Sequence, residues 1–302
     1  MTAVLPASVP TGSRLDVRPL QPTIGAEIDG LDLRDPLTDE VRDELRSVLL
    51  RYKVLFFRDQ HLDREQHAAF ARRFGPLYDH PTTRRPDESV SSAIHRISAD
   101  DFKATHPAPR TAAPAVPVAA TAPPVEDDRW DPYHTDTSWR LVPTWGAVLR
   151  AVTLPEIGGD TVWVDATLAC SALPEDVKAR LEGLHVTHDY RPELLRAGHD
   201  YPIVAHPVIR LHRETGERVA WVNFTQKPYI VGLDRAESRE LLTHVIEQYR
   251  KPEHQVRFTW RPGSVAFWDN RAAVHYAVRN YGDFPRLLER ILIADEPLYA
   301  DL

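Results

Sequence analysis

The chain has 302 residues and a formal net charge of −7, from 37 lysines and arginines against 44 aspartates and glutamates, and it carries one cysteine, Cys170. That length can bury a large core, the acidic balance leaves no footprint for nucleic acid even with the short basic clusters Arg72-Arg73 and Arg84-Arg85, and a lone cysteine excludes an intrachain disulfide framework while fitting a reducing compartment. No apolar run reaches membrane length, and Met1 to Ser13 lacks the charged start and apolar middle of a secretory leader, so a short loose tail over 1–13 and a cytoplasmic protein are expected.

Taken in order, Leu15 to Leu33 alternates and contains glycines, suggesting strands. Thr38-Asp-Glu40 opens an amphipathic helix running to about Tyr52, Val54 to Phe57 reads as a short buried strand, and Asp63 to Phe74 as a second helix ended by Gly75-Pro76. Further strands are expected at Gly146 to Val152, Thr161 to Val164, Val204 to Leu211, Arg218 to Val222, Gln255 to Trp260, Ser264 to Trp268 and Leu287 to Ala294, with helices near Pro174 to Glu182 and Arg235 to Tyr249. Many short strands with a few flanking helices point to a mainly β, double-sheet jelly roll, or double-stranded β-helix, whose open end can house a site. With no internal repeat and no composition break after residue 130, one domain over 14–302 is expected. Ala104 to Val125 interrupts it with an alanine- and proline-rich stretch that favours extended backbone, readable as a lid over a pocket or as a tolerated insertion.

The chemistry is carried by His134-Thr-Asp136 and His275. Residues i and i+2 of an extended segment project to one side, so His134 and Asp136 can address one ion while Thr135 faces away. Two histidines and one carboxylate are the ligand set of a facial triad, which holds Fe(II) on one side and leaves positions open opposite. His275 follows the apolar run Ser264 to Trp268, read as a buried strand that delivers Asp269-Asn270-Arg271 and then His275 to a rim. Fe(II) on this set keeps net positive charge and favours an anionic bidentate ligand such as a 2-oxo acid, whose far carboxylate matches the planar fork of a guanidinium; Arg286 is the candidate. Arg290 falls on the same strand face as Arg286, and two inward arginines repel unless each meets an anion, so a second anion is expected.

The string Trp268-Asp-Asn-Arg271 through His275, with Gly158-Gly-Asp-Thr161 and Tyr133-His-Thr-Asp136 in register, resembles the TauD/TfdA (taurine dioxygenase) family of Fe(II)/2-oxoglutarate-dependent dioxygenases, from about Leu15 to about Leu298. The resemblance implies the same jelly-roll fold, iron on His134, Asp136 and His275, 2-oxoglutarate on Arg286 and the hydroxyl of Thr161, and O2 at the remaining position. It implies a small anionic substrate, a sulfonate, sulfate ester or carboxylate, gripped by Arg290 and His80 and hydroxylated at an unactivated C–H bond while 2-oxoglutarate becomes succinate and CO2. Halogenating relatives lack the carboxylate that Asp136 supplies, so oxygenation is implied.

The pocket departs from the taurine enzyme: Trp130 stands where that enzyme has an asparagine, Thr83 where it has a tyrosine, and Gln226 where it has a phenylalanine. Trp130 and Trp139, flanking the metal motif, read equally as walls of an aromatic cavity or as core. The readings weighed against hydroxylation of a small anion are a tailoring oxygenase acting on an amino acid or natural product, a zinc hydrolase on the same ligands, and a non-catalytic jelly-roll binding module. The zinc hydrolase has no use for the arginine pair, and a lapsed module would typically have lost a ligand. No nucleic-acid or membrane partner is expected, and a homo-oligomer is compatible with the sequence.

Overall fold

The computed structural model of the chain describes residues 15–81, 93–98 and 131–295, and the tail over 1–13 and the alanine- and proline-rich stretch of 104–125 lie outside them. Its strands are β1 (Asp16–Pro19), β2 (Ala26–Asp29), β3 (Val54–Phe57), β4 (Leu77–Tyr78), β5 (Ile94–Ser98), β6 (Gly146–Thr153), β7 (Thr161–Asp165), β8 (His185–His188), β9 (Val204–Pro207), β10 (Ile209–Leu211), β11 (Arg218–Ala220), β12 (Gln255–Phe258), β13 (Val265–Asp269), β14 (Ala273–Ala277) and β15 (Leu287–Ile293). The helices are α1 (Asp39–Tyr52), α2 (Arg64–Arg72), α3 (Ala166–Ser171), α4 (Glu175–Leu181), α5 (Arg191–Arg196) and α6 (Arg235–Tyr249).

The helices begin where capping chemistry places them. Thr38 Oγ1 accepts from Val41 N to cap α1, and Asp63 with Gln66 forms a reciprocal capping box at the start of α2. Asp234 caps α6 by accepting from Glu237 N. The α1 helix ends at Lys53, whose φ of 63° turns the chain directly into β3.

An eight-stranded sheet runs β1-β2-β3-β13-β6-β15-β4, with β5 also paired to β15, and a three-stranded sheet runs β12-β7-β14. The two face each other across a core of Phe56, Leu149, Trp163, Phe258, Trp268 and Leu292 among others, in which Phe56 stacks on Phe258 at 4.1 Å and meets Trp163 edge-on at 5.3 Å. The outer face of the large sheet is covered by α1 and α2 through Leu45, Leu49, Phe70, Phe267 and Ile291, and that of the small sheet by α3, α4 and α6 through Val164, Leu241, Val245 and Val274. This is the helix-flanked jelly roll expected from the strand pattern, each buried leucine, isoleucine or phenylalanine contributing about 1.5–3 kcal/mol.

Strand β15 shows why strand geometry matters for function. Leu288 and Leu292 face the inter-sheet core, whereas Ile291 and Ile293 face the helices. Arg290 shares the inner face, and Glu289 the outer one, where it binds Arg64 of α2 at 2.8 Å and Arg150 at 2.6 Å.

Three expectations are corrected. Val204 to Leu211 is two strands: β9 pairs with β8 and β10 with β11, because the chain changes partner at Val208, whose N–H instead bonds Leu184 O at 2.9 Å. His275 is not at a rim after a single strand. The turn over 270–272 carries the chain from β13 in the large sheet to β14 in the small one, and His275 is the central residue of β14. Arg286 lies just before β15 rather than on it, and β15 carries a register irregularity against β6 between Leu287 and Leu288.

Among the described residues, no helix is long and apolar enough to cross a membrane.

His67 on α2 is fully buried and its Nε2 lies 3.1 Å from Val148 O, so Nε2 carries the hydrogen of a neutral ring. Burial, reinforced by the Arg150 charge, lowers its pKa from 6.5 to about 3, and burial likewise lowers His206 to about 4. The unfolded chain takes up these protons near pH 6.5 while the folded chain refuses them. Stability is therefore complete above about pH 6.5 and falls on acidification, by about 1.4 kcal/mol per pH unit for each such histidine. Replacing His67 with Met should flatten the pH 6.5 to 4 portion of a urea-unfolding free-energy profile by about that slope; an unchanged slope would show that His67 is not a buried neutral histidine.

Candidate metal centre

The chain just before β6 lies against β14. His134 N donates to His275 O at 2.9 Å and His275 N donates to His134 O at 2.7 Å, an antiparallel bridge that sets the two imidazoles 4.2 Å apart. The chain then turns, with Thr137 at φ 51°, and Asp136 Oδ1 comes within 3.9 Å of His275 Nε2. One ligand atom from each of His134, Asp136 and His275 lies within 4.8 Å of the others, the one such group of three or more potential ligands among the described residues.

The protonation states suit a metal. His134 Nδ1 is 3.0 Å from Pro132 O, which can only accept, so Nδ1 bears the hydrogen and Nε2 the lone pair. Burial lowers the pKa of both histidines, that of His275 well below 6.5, with the His134 and Arg290 charges adding to the effect. The His275 ring packs against a cluster of two indoles, Trp268 at 4.9 Å and Trp163 at 6.3 Å and near-parallel. Asp136 Oδ1 accepts from Arg290 Nη1, while its Oδ2 is buried with no hydrogen-bond partner. Two neutral imidazoles and an incompletely satisfied carboxylate are a fitting donor set for Fe(II).

Asn270 locks this loop. Its side-chain carbonyl accepts from Asp136 N at 2.8 Å and from Thr135 Oγ1 at 2.9 Å, and its amide donates to Asp136 O at 2.8 Å and Thr144 O at 3.0 Å. Its own backbone carbonyl receives Thr135 Oγ1 at 2.8 Å and Trp221 Nε1 at 3.1 Å. Thr135 thus points away from the metal side because its hydroxyl is committed to Asn270. Asn223 backs the same loop through Ser138 Oγ at 2.9 Å. The flanking Asp269 is buried and pairs with the partly exposed Arg271, with His212 beside it. Burial alone would raise the Asp269 pKa, but the Arg271 charge and hydrogen bonds hold it far below the carboxylate range. Sequence reasoning singled out this string without assigning Asn270 a task; a buried asparagine at a turn between two apolar strands was the available signal.

Arg286 is buried and donates from Nε to Gly159 O at 3.0 Å, while one terminal nitrogen, Nη2, is buried without a partner. Gly159 has φ 75°, and a Cβ there would stand 3.0 Å from Arg286 Cδ and Nε; at Gly158, φ 85°, it would stand 2.7 Å from Asn280 Oδ1. Gly159 therefore makes room for the arginine, and Gly158 for Asn280. Thr161, on β7, accepts from Trp260 Nε1 at 2.9 Å, leaving its own hydroxyl hydrogen to donate.

Arg290 faces the metal group and keeps Nε buried and unpaired. His80 is buried among rings: His95 at 5.5 Å, Trp139 at 5.9 Å and Tyr190 at 6.2 Å. Burial and the Arg290 charge lower its pKa to about 4, against the pull of Asp136. Trp139 stacks on Tyr190 at 5.8 Å and meets Tyr201 edge-on at 5.1 Å, so it is both buried and part of an aromatic wall beside His80. Gln226 is half-buried, its Oε1 3.4 Å from Ser138 Oγ. Trp130 and Thr83 lie outside the described residues. His95, which sequence reasoning missed, sits directly opposite Arg290 on β5.

Residues 16–292 match the profile of the family described as "Taurine catabolism dioxygenase TauD, TfdA family". An alpha-ketoglutarate-dependent sulfate ester dioxygenase of Pseudomonas putida is 31% identical over 96% of this chain and 93% of its own. An (S)-phenoxypropionate/alpha-ketoglutarate-dioxygenase of Sphingobium herbicidovorans is 31% identical over 93% of this chain and 96% of its own. The crystal structure of a taurine dioxygenase from Burkholderia xenovorans superposes with a TM-score of 0.75 at 34% identity, covering 94% of this chain and 92% of that one.

Replacing Asn270 with Ala leaves Asp136 N, Asp136 O and Thr144 O short of partners in the interior. Metal affinity, measured by anaerobic Co(II) titration, should fall about 10–100-fold, with a lowered melting temperature in the absence of metal. Unchanged affinity would mean that the loop is held by other contacts.

Proposed function

This chain belongs to the taurine catabolism dioxygenase TauD, TfdA family and is an Fe(II)/2-oxoglutarate-dependent dioxygenase, and from that premise we propose that His134, Asp136 and His275 hold the iron, Arg286 and Thr161 the 2-oxoglutarate, and Arg290 and His80 the anionic head of a small organic substrate. The observation that carries this assignment is a set of polar atoms left over after the Asp136–Arg290 pair is made: Arg286 Nη2, Arg290 Nε and Asp136 Oδ2 are all buried with no hydrogen-bond partner. Buried polar atoms without partners are costly, and anionic ligands plus a cation would satisfy all three.

Iron with bound 2-oxoglutarate and O2 supplies an oxidant for an unactivated C–H bond, with succinate and CO2 as co-products. The chain's own residues then decide what is oxidised. Arg286 binds the far carboxylate of 2-oxoglutarate through its unpartnered Nη2, and Thr161, oriented by Trp260, adds a hydroxyl donor. Arg290 divides its guanidinium between Asp136 and the substrate, which ties the substrate's charge to the position of the metal loop. His80, kept neutral, donates a hydrogen bond without adding a second positive charge. Trp139 and Tyr190 form the wall against which an apolar body can pack.

The relatives that act on a sulfate ester and on phenoxypropionate support a small anion as substrate, and Asp136 in the ligand set supports oxygenation over halogenation. Residues 14–302 are read as one catalytic unit that acts in the cytoplasm without nucleic-acid or membrane partners, a reading supported by the net charge and single cysteine.

Anaerobic addition of 2-oxoglutarate to the Fe(II)-loaded protein should produce the weak visible charge-transfer band of the chelate, and an anionic substrate should shift it. Arg286→Ala should weaken 2-oxoglutarate binding by about 30-fold or more, and Arg290→Ala should weaken substrate binding similarly while leaving the band titration nearly unchanged. Equal loss of both ligands in either variant would overturn the division of roles, and no band at full iron occupancy would overturn the whole assignment.

A further inference from the structure

His95 is the polar side chain that the assignment above leaves unused. It lies on β5 directly across from Arg290 on β15, and directly opposed residues of an antiparallel pair point to the same face. Its ring centroid is 5.5 Å from that of His80, which places three nitrogen-bearing side chains side by side. The side chain as a whole is half-buried, yet its Nδ1 is shielded from solvent and meets no hydrogen-bond partner. Burial, with Arg290 and His80 adjacent, lowers its pKa well below 6.5 and keeps the ring neutral, so one nitrogen bears a hydrogen to give.

A carboxylate is planar with two oxygens, and the fork of one guanidinium can saturate it. Here one terminal nitrogen of Arg290 is already engaged by Asp136 while its Nε is unpartnered, and two imidazoles on other elements, His80 after β4 and His95 on β5, add further donors. Donors arriving from three elements suit a tetrahedral head with three oxygens. Resting on the reading that Arg290 and His80 receive the substrate's anion, we propose that His95 is a third head-group donor that makes the enzyme select sulfate esters and sulfonates over carboxylates. A carboxylate in the same place would leave one of the buried donors unanswered, a penalty of about one to two orders of magnitude in affinity.

The test uses the full chain with Mn(II) in place of iron and 2-oxoglutarate bound, so that nothing turns over, and titrates it calorimetrically with an alkyl sulfate, an alkyl sulfonate and a carboxylate of matched chain length. The wild type should bind the two sulfur anions about tenfold or more tightly than the carboxylate. His95→Ile should weaken the sulfur anions by about that factor, leave the carboxylate within about twofold, and so abolish the preference. His95→Gln, which keeps an N–H, should restore part of it. A loss equal for all three anions, no loss for any, or a wild-type preference for carboxylate would each overturn the assignment. Arg290→Ala separates the two levels: if it abolishes binding of every anion while His95→Ile is silent, only the role of His95 fails. If Arg290→Ala is silent too, the substrate site itself is elsewhere.

Discussion

The side-chain amide of Asn270 is the joint on which the site depends. A metal centre of this kind needs ligands from two separate stretches of chain, one from the loop before β6 and one from β14, held to a fraction of an ångström. Asn270 sits where the chain leaves the large sheet for the small one, and it spends its carbonyl and amide on the loop that carries Asp136 and on Thr144 beside β6. Because all these groups are buried, each bond is enforced by the cost of leaving it unmade, so the joint is rigid without any covalent tie. The reciprocal backbone bonds of His134 and His275 supply the second anchor, and together they fix the three candidate ligands.

Around that joint the charges are sorted by strand geometry. On β15 the alternation that turns leucines toward the inter-sheet core also turns Arg290 inward, and places Glu289 on the opposite face with Arg64 and Arg150. The outward carboxylate thus finds its partners among helix and sheet residues, and the inward guanidinium remains available to the site. The same division holds at Asp269, paired locally with Arg271 and His212, so that its charge is committed away from the ligand set.

Much of this was legible in the chain itself. The helix starts at Thr38, Asp63 and Asp234 are local capping chemistry, visible without any tertiary information, and the ligand triplet is a spacing rule. The glycines at 158 and 159 were visible as a motif, but their reasons, Asn280 against the first and the flank of Arg286 against the second, needed the fold. What could not be read depends on partners distant in sequence. The five residues of β5 acquire their meaning by pairing with β15, and nothing near His95 announces that Arg290 lies opposite. The change of sheet between Asp269 and Ala273 is likewise invisible, because two apolar strands joined by a short turn read the same whether they share a sheet or cross between two. Val204 to Leu211 failed for the same reason, as continuous β-forming sequence can still exchange one partner for another midway.

The placement of His275 beside Trp163 and Trp268 has an optical consequence. Indole emission is quenched efficiently by an open-shell ion at close range, and these two rings stand 6.3 and 4.9 Å from a ligand imidazole, in a core from which solvent is excluded. The protein therefore carries its own occupancy gauge: intrinsic fluorescence should dim as iron enters and recover when a chelator removes it, reporting on the centre without a label and without turnover.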